Sequence, residues 1–209
     1  MVDAIVQTQS PAVRSEKTDK FAVRRRELAE AALKAVSERG FANTGLRDIA
    51  AHTALSLGVL HYYFTDKNDL IGQAIWQAKE QCVRRYDLIV ATAVTGDELA
   101  ERFGAEIAKT MVEDAGEHRL WYDLRNQALF QAGFLDIIIA IDSLLSGMVW
   151  KVVLRYAQLE HRTPTIDAAS AYALFDGIFR NSLIAHLRGE RDAAEKLRLA
   201  TIRLLHGAI

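Results

Sequence analysis

The chain has one cysteine, two prolines and no run of alternating β-branched residues long enough to make a strand. With a single thiol, Cys82, no internal disulfide can form, and a buried, unreactive sulfhydryl suits a reducing compartment, so a cytoplasmic location is expected. With proline confined to Pro11 and Pro164, helix is the default between breaks. The fold class read from this is all-α, with about nine helices. Residues 1–20 are polar and charged, without the apolar stretch and cleavage site of a secretory signal. Phe134–Leu154 is the segment nearest to a membrane span, but it carries Asp136, Asp142 and Lys151. A central aspartate costs about 2.5–3.5 kcal/mol to insert. The segment is therefore read as a core helix, and no membrane partner is expected.

Catalytic patterns are missing as well. No Glu-x-x-His pair supports a di-iron site, no phosphate-binding loop or nucleophile elbow occurs, and the six histidines are scattered one per element. Neither an enzyme nor a metal or other cofactor is expected.

What the chain has is apolar content: half of its 209 residues, enough for a sizeable core in one domain or in a small domain joined to a larger one. A net charge of −1 hides an asymmetry. Arg14, Lys17, Lys20, Arg24, Arg25 and Arg26 outweigh Glu16 and Asp19 ahead of and within the first helix. Such an arm can meet phosphates or remain a solvated tail, and both readings stand.

The first helix is predicted from about Lys20 to Arg39, with Leu28, Ala31, Ala32, Ala35 and Val36 on one face and Gly40 as its stop. Thr44 is read as the N-cap of a short helix over 45–52, with Asp48 offsetting the dipole. A turn at Thr53, Ala54 and Leu55 follows, and Ser56 caps a third helix that runs through Phe64. Two short helices across a tight turn make a helix-turn-helix. From Lys67 the helices lengthen: about 67–93, 97–115, 117–132, 134–160, 166–188 and 191–207. The domain boundary is placed there, with the fourth helix as the link.

On the third helix, Leu60 and Phe64 share a face and join Leu46, Ile49 and Ala50 in a small core. The opposite face presents Leu57, Gly58, His61 and Tyr62, where a second helix enters the major groove and side chains reach base edges or phosphates. Residues 44–70 resemble the DNA-binding signature of the TetR family. The matching elements are Thr44, Arg47-Asp48-Ile49-Ala50, Ser56 with Gly58, Leu60, Tyr63-Phe64, and Lys67 with Leu70. The resemblance covers about residues 20–72. It implies that Thr44, Ser56, Tyr63 and Lys67 hold the phosphate backbone, fixing register rather than sequence, and it adds Arg47 to the DNA-binding set. Lys67 opposes the dipole at the start of its helix, which argues for a functional rather than a stabilising part. Ala54, Leu57 and His61 depart from the family's usual residues, so groove contacts are expected to differ. Leu57 suits a thymine methyl, and His61 suits a phosphate or a guanine.

The resemblance implies an order of parts: a flexible basic arm over 1–19, a three-helix DNA-binding domain over 20–66, and a larger ligand-binding and dimerisation domain over 67–209. Leu120-Trp121-Tyr122-Asp123-Leu124 and Leu174-Phe175-Asp176-Gly177-Ile178 are similar to the betaine-regulator-like subgroup. Gly177 inside a helix costs about 1 kcal/mol against alanine, which suggests close packing. Ala171, Tyr172, Phe175, Ile178, Phe179 and Leu183, then Leu197, Ala200, Ile202, Leu204 and Leu205, form apolar faces that by family analogy pair with a second copy; closing the monomer core is the other use for them. Candidate ligand contacts are Trp121, Tyr122, Arg125, Asn126, Phe130, Asp142, Met148, Trp150, Phe175 and Phe179. Asp142 lies on an apolar stripe where an unpaired carboxylate is costly. Pairing with Arg125, facing solvent and binding a ligand cation or donor are its three open roles.

The expected function is that of a transcriptional regulator, a repressor released from a palindromic operator by a small molecule. Its partners are then double-stranded operator DNA, the effector and a second copy of the chain. The alternative is a helical adaptor or nucleoid-associated protein with no sensed ligand, which a sealed C-terminal domain would favour.

Overall fold

A computed structural model describes residues 11–53 and 55–209, with side chains from Asp19 onward. Ala54, and the side chains of Arg14, Glu16 and Lys17, lie outside the described residues. The order is α1 (Pro11–Arg39), α2 (Leu46–Thr53), α3 (Leu57–Tyr63), α4 (Lys67–Thr92), α5 (Gly96–Glu113), α6 (Ala115–Ala128), a 3-10 turn (Ala132–Phe134), α7 (Leu135–Leu159), α8 (Ala168–Leu187) and α9 (Ala193–Gly207). Nine α-helices and no strand occur among the described residues, in line with the all-α reading.

Local chemistry sets most of the boundaries. Ser56, Asp66, Thr95 and Asp167 each accept the backbone N–H three residues on, capping α3, α4, α5 and α8. Gly40 ends α1 at φ +81°, a conformation that disfavours any residue with a Cβ. α1 begins nine residues earlier than expected, so Pro11–Asp19, read as flexible arm, is helical. Proline at the first helical position loses no hydrogen bond. Thr44 is not the cap of α2: its hydroxyl donates to the Gly40 carbonyl at 2.8 Å, and Asp48 accepts the Gly45 N–H at 2.7 Å instead. α6 stops at Ala128 rather than near residue 132, just before the solvent-facing Leu129 and Phe130.

Two apolar cores result. One joins Leu28, Val36, Phe41, Ile49, Leu60, Phe64 and Leu70 to Leu120, Leu124, Phe134, Ile138 and Ile141. The boundary placed between 66 and 67 thus falls inside a shared core, and α6 and α7 help to hold the helix-turn-helix. The other core gathers Tyr86, Phe103, Met111, Val149, Val152, Phe175, Leu183, Leu197 and Leu205. At about 1.5–3 kcal/mol for each large side chain removed from water, these clusters dominate the stability. Gly104 lets α9 approach α5: a Cβ there would meet the Arg198 carbonyl at 3.0 Å.

The stretch Ala132–Leu159 is long and apolar enough to cross a membrane by length and composition, and a third of its most apolar window is buried. In the fold, α7 puts Ile138, Ile141, Met148, Val149, Val152 and Val153 inside and leaves Leu135, Ile139 and Leu154 exposed.

Candidate DNA interface and ligand cavity

α3 is fixed from beneath by Leu60 and Phe64, both nearly inaccessible, so its other face must point outward. Ser56, Gly58, His61 and Tyr62 are exposed, Leu57 and Tyr63 are half-buried, and Arg47 stands exposed at the start of α2. Tyr62 is 72% exposed. Its ring lies 4.9 Å from Tyr63 and 6.0 Å from Phe21 of α1, while Phe21 and Tyr63 are 4.7 Å apart. Phe21 completes this aromatic edge and was not singled out in the sequence; its 38% exposure beside the arginines of α1 is a feature that only the fold reveals.

Two expected phosphate contacts are engaged elsewhere. Thr44 is buried with its hydroxyl on Gly40 and is not offered to a phosphate. The Lys67 ammonium donates to the Phe41 carbonyl at 2.6 Å and sits 3.6 Å from the centre of the Phe41 ring. Burial lowers its pKa, against the raising effect of Asp123 and Asp48. Lys67 therefore stabilises the turn after α1, and the argument from the dipole that it contributes little is overturned. Arg25 likewise pairs with Asp69 and stacks over Phe64.

Below the helix-turn-helix a cavity of about 60 Å³ opens between α4, α5, α6, α7 and α8. Space of that size holds about four waters or part of a larger ligand. Of the candidate ligand contacts, Trp121, Tyr122, Met148, Phe175 and Phe179 line it. The others do not. Phe130 is 87% exposed and Asn126 is exposed, because α6 has run past the core at that point. Trp150 packs at the edge of the larger core. Arg125 and Asp142 stand one layer behind the wall. Arg125 bridges Asp176 at 2.8 Å and Asp142 at 3.4 Å, while Tyr122 donates to Asp176 at 2.9 Å and Tyr172 to Asp142 at 2.5 Å. Of the three roles open to Asp142, the pairing with Arg125 is the one present. Burial, then the neighbouring carboxylates, push both tyrosine hydroxyls well above their usual range, so they remain donors.

Lys79, Cys82, Tyr86, His118, Tyr172 and Asp176 also line the cavity and were missed. A signal existed: Lys79 follows Ile75 by four residues and precedes Cys82, Val83 and Tyr86 on an apolar face, and His118 stands three and four residues before Trp121 and Tyr122. The Lys79 ammonium lies 2.9 Å from His118 Nδ1. The Cys82 thiol is buried and raised in pKa by that burial, an inert sulfhydryl as the composition suggested.

Residues 28–74, which contain α2, α3 and the start of α4, match the profile of the family described as bacterial regulatory proteins, tetR family. The helix-turn-helix region is therefore similar to that of the TetR family. The chain is 25% identical over 179 residues to the HTH-type transcriptional regulator PksA of Bacillus subtilis, covering 83% of this chain and 85% of that one. Among the solved structures that share this chain's fold are two regulators. A TetR transcription regulator from Haloarcula marismortui has a TM-score of 0.73 at 18% identity, with 90% of this chain and 99% of that one covered. FadR from Bacillus subtilis, solved with stearoyl-CoA, has a TM-score of 0.68 at 17% identity, with 87% and 97% covered. The TetR-family regulators it resembles are transcription factors rather than enzymes.

Proposed function

We propose that the protein is a TetR-family regulator, a homodimeric, cytoplasmic repressor that leaves a palindromic operator when an effector occupies the cavity between α4 and α8. The observation that carries the reading is the continuity of α4. Its first residue, Lys67, is tied to the turn after α1, while Lys79, Cys82 and Tyr86 on the same helix line the cavity. Twelve residues of helix separate the two ends, about 18 Å of stiff rod. α6 supplies a second link: Arg119 donates to the Ser37 carbonyl at 2.6 Å and Asp123 accepts the Phe41 N–H at 3.1 Å, while His118, Trp121 and Tyr122 face the cavity. A ligand that shifts either helix moves the recognition helix with it.

Arg47, Ser56, Gly58, His61 and Tyr62 make the operator face, with Leu57 and Tyr63 at its edge. FadR, a transcriptional regulator solved in complex with stearoyl-CoA, supports ligand binding by a protein of this fold. The likeness to the betaine-regulator-like subgroup rests on two stretches that meet where Tyr122 bonds Asp176.

The sealed domain that would favour an adaptor is not what the cavity suggests. A ligand changes the equilibrium only by its differential affinity for the two arrangements, and a hundredfold loss of operator affinity needs about 2.7 kcal/mol of preference. The test is fluorescence anisotropy on an operator duplex with compounds that raise the thermal midpoint. Binders are expected to weaken operator affinity about a hundredfold; tight binders that leave it unchanged would contradict the reading.

A further inference from the structure

The cavity wall contains a charge with no opposite. Lys79 is 2% exposed, and its ammonium has the ring nitrogen of His118 as its polar partner. Among the described residues no carboxylate forms an ion pair with it, and burial lowers its pKa against the weaker raising effects of Cys82, Glu117, Asp114 and Asp176. Because His118 Nδ1 accepts from Lys79, the ring proton belongs on Nε2, and that atom is buried with no hydrogen bond of good geometry. The remaining donors of the ammonium thus have no carboxylate to receive them among the described residues, and the Nε2 proton has only the Thr110 backbone nearby, in poor geometry. A buried ion is costly unless it is paired.

The acidic groups of the same region are already used. Asp176 accepts from Tyr122 and Arg125, and Asp142 accepts from Tyr172 and is ion-paired with Arg125, so neither is a free counter-ion. The rest of the wall is aromatic and aliphatic. Aromatic rings alone would also suit a quaternary ammonium, but the Lys79 charge repels one.

We propose that the effector is an amphiphilic anion, a carboxylate on an apolar body, whose head group is received by Lys79 and His118. The inference rests on the cavity being the effector site. The carboxylate has the two acceptor oxygens that the ammonium and the imidazole N–H lack, and its tail replaces water against Tyr86, Met148 and Phe179. Because Lys79 belongs to α4, the head group pulls directly on the helix that leads to the DNA-binding end.

The test uses the purified full-length protein without DNA, so that it stands apart from the operator measurement. Straight-chain probes of six, eight and ten carbons ending in carboxylate, alcohol or trimethylammonium are titrated by calorimetry. Carboxylates are expected to bind at least tenfold more tightly than the matched alcohols, and trimethylammonium compounds weakest of all. Lys79→Met is expected to abolish the carboxylate preference while leaving alcohol binding in place, and to raise the thermal midpoint of the unliganded protein, since an uncompensated charge has been removed. His118→Phe, which keeps an aromatic ring and loses the donor, is expected to weaken carboxylates several-fold. Equal affinity for carboxylate and alcohol, no carboxylate binding, preference for the trimethylammonium series, or an unchanged preference in Lys79→Met would each overturn the proposal. If Lys79→Met does not fold, the head-group preference and His118→Phe decide. Lys79-dependent carboxylate binding that leaves operator affinity untouched would instead defeat the repressor reading while this one stands.

Discussion

Lys67 and Tyr62 occupy the same small domain, yet burial gives them different work. Lys67 carries a charged hydrogen bond to the Phe41 carbonyl. Its replacement by alanine is expected to lower the unfolding free energy by about 1–2 kcal/mol, and denaturant melts that match the wild type would refute that part. Tyr62, exposed and contacting only the aromatic edge, should tolerate alanine within about 0.5 kcal/mol. On operator against scrambled duplex the same change should erase about 1–3 kcal/mol of discrimination per half-site; equal losses on both duplexes would place Tyr62 on the backbone instead. His118 makes a third case. Burial, and then the Lys79 charge, hold its pKa well below 6.5. As pH falls below 6.5 the unfolded chain takes up a proton that the folded chain refuses, so stability is lost toward acid. His118→Gln keeps an acceptor for Lys79 and does not titrate. Its thermal midpoint should fall less between about pH 7.5 and about 5.5 than the wild type's; parallel curves would show that the imidazole is not the group responsible.

Among the helices, α8 shows what a sequence discloses and what it withholds. Ala171, Phe175, Phe179 and Leu183 are plainly an apolar face, but apolarity does not name the surface covered. They close the monomer core and the cavity, with Phe179 9% exposed. The face left outside holds Leu174, Ile184 and Leu187, each about half exposed. Gly177 sits among them, with no described atom within 4 Å of where a Cβ would stand. The tight packing expected at that glycine is therefore absent among the described residues. A second copy would supply it, two α8 helices crossing at the glycine. Leu174→Glu with Ile184→Glu is expected to give a monomer by sedimentation equilibrium at micromolar concentration. Phe179→Glu should damage the fold and the cavity rather than the association. A dimer that survives the double change would move the interface elsewhere. Caps such as Ser56 were legible because donor and acceptor lie three residues apart. Thr44 was misread because two nearby acceptors compete for the start of α2 and the nearer turn captured its hydroxyl. The Lys79–His118 contact spans 39 positions on two helices, and no local pattern announces it.

At the scale of the molecule, the recognition helix, the shared core and the cavity are joined through α4 and α6. The helix-turn-helix was legible because its core and its outward face alternate within twenty residues. The cavity was half legible: its aromatic wall followed from helical spacing, while its polar lining depended on which helices met. Arg119 offers a test of the joint at this scale. Arg119→Ala removes the α6 contact with the end of α1 and stands clear of the cavity, so it is expected to leave effector affinity intact and to reduce effector-driven release from the operator. Unchanged release would assign the coupling to α4 alone. The central claim, that the exposed face of α3 reads a specific duplex as part of a two-fold assembly, is tested most directly by selecting duplexes from a random-sequence pool with the purified protein. The account predicts enrichment of an inverted repeat whose half-site centres lie about one helical turn or a multiple of it apart, with a broadened consensus for Tyr62→Ala. A pool from which no sequence is enriched, or one that yields the same sharp consensus for both proteins, would contradict it.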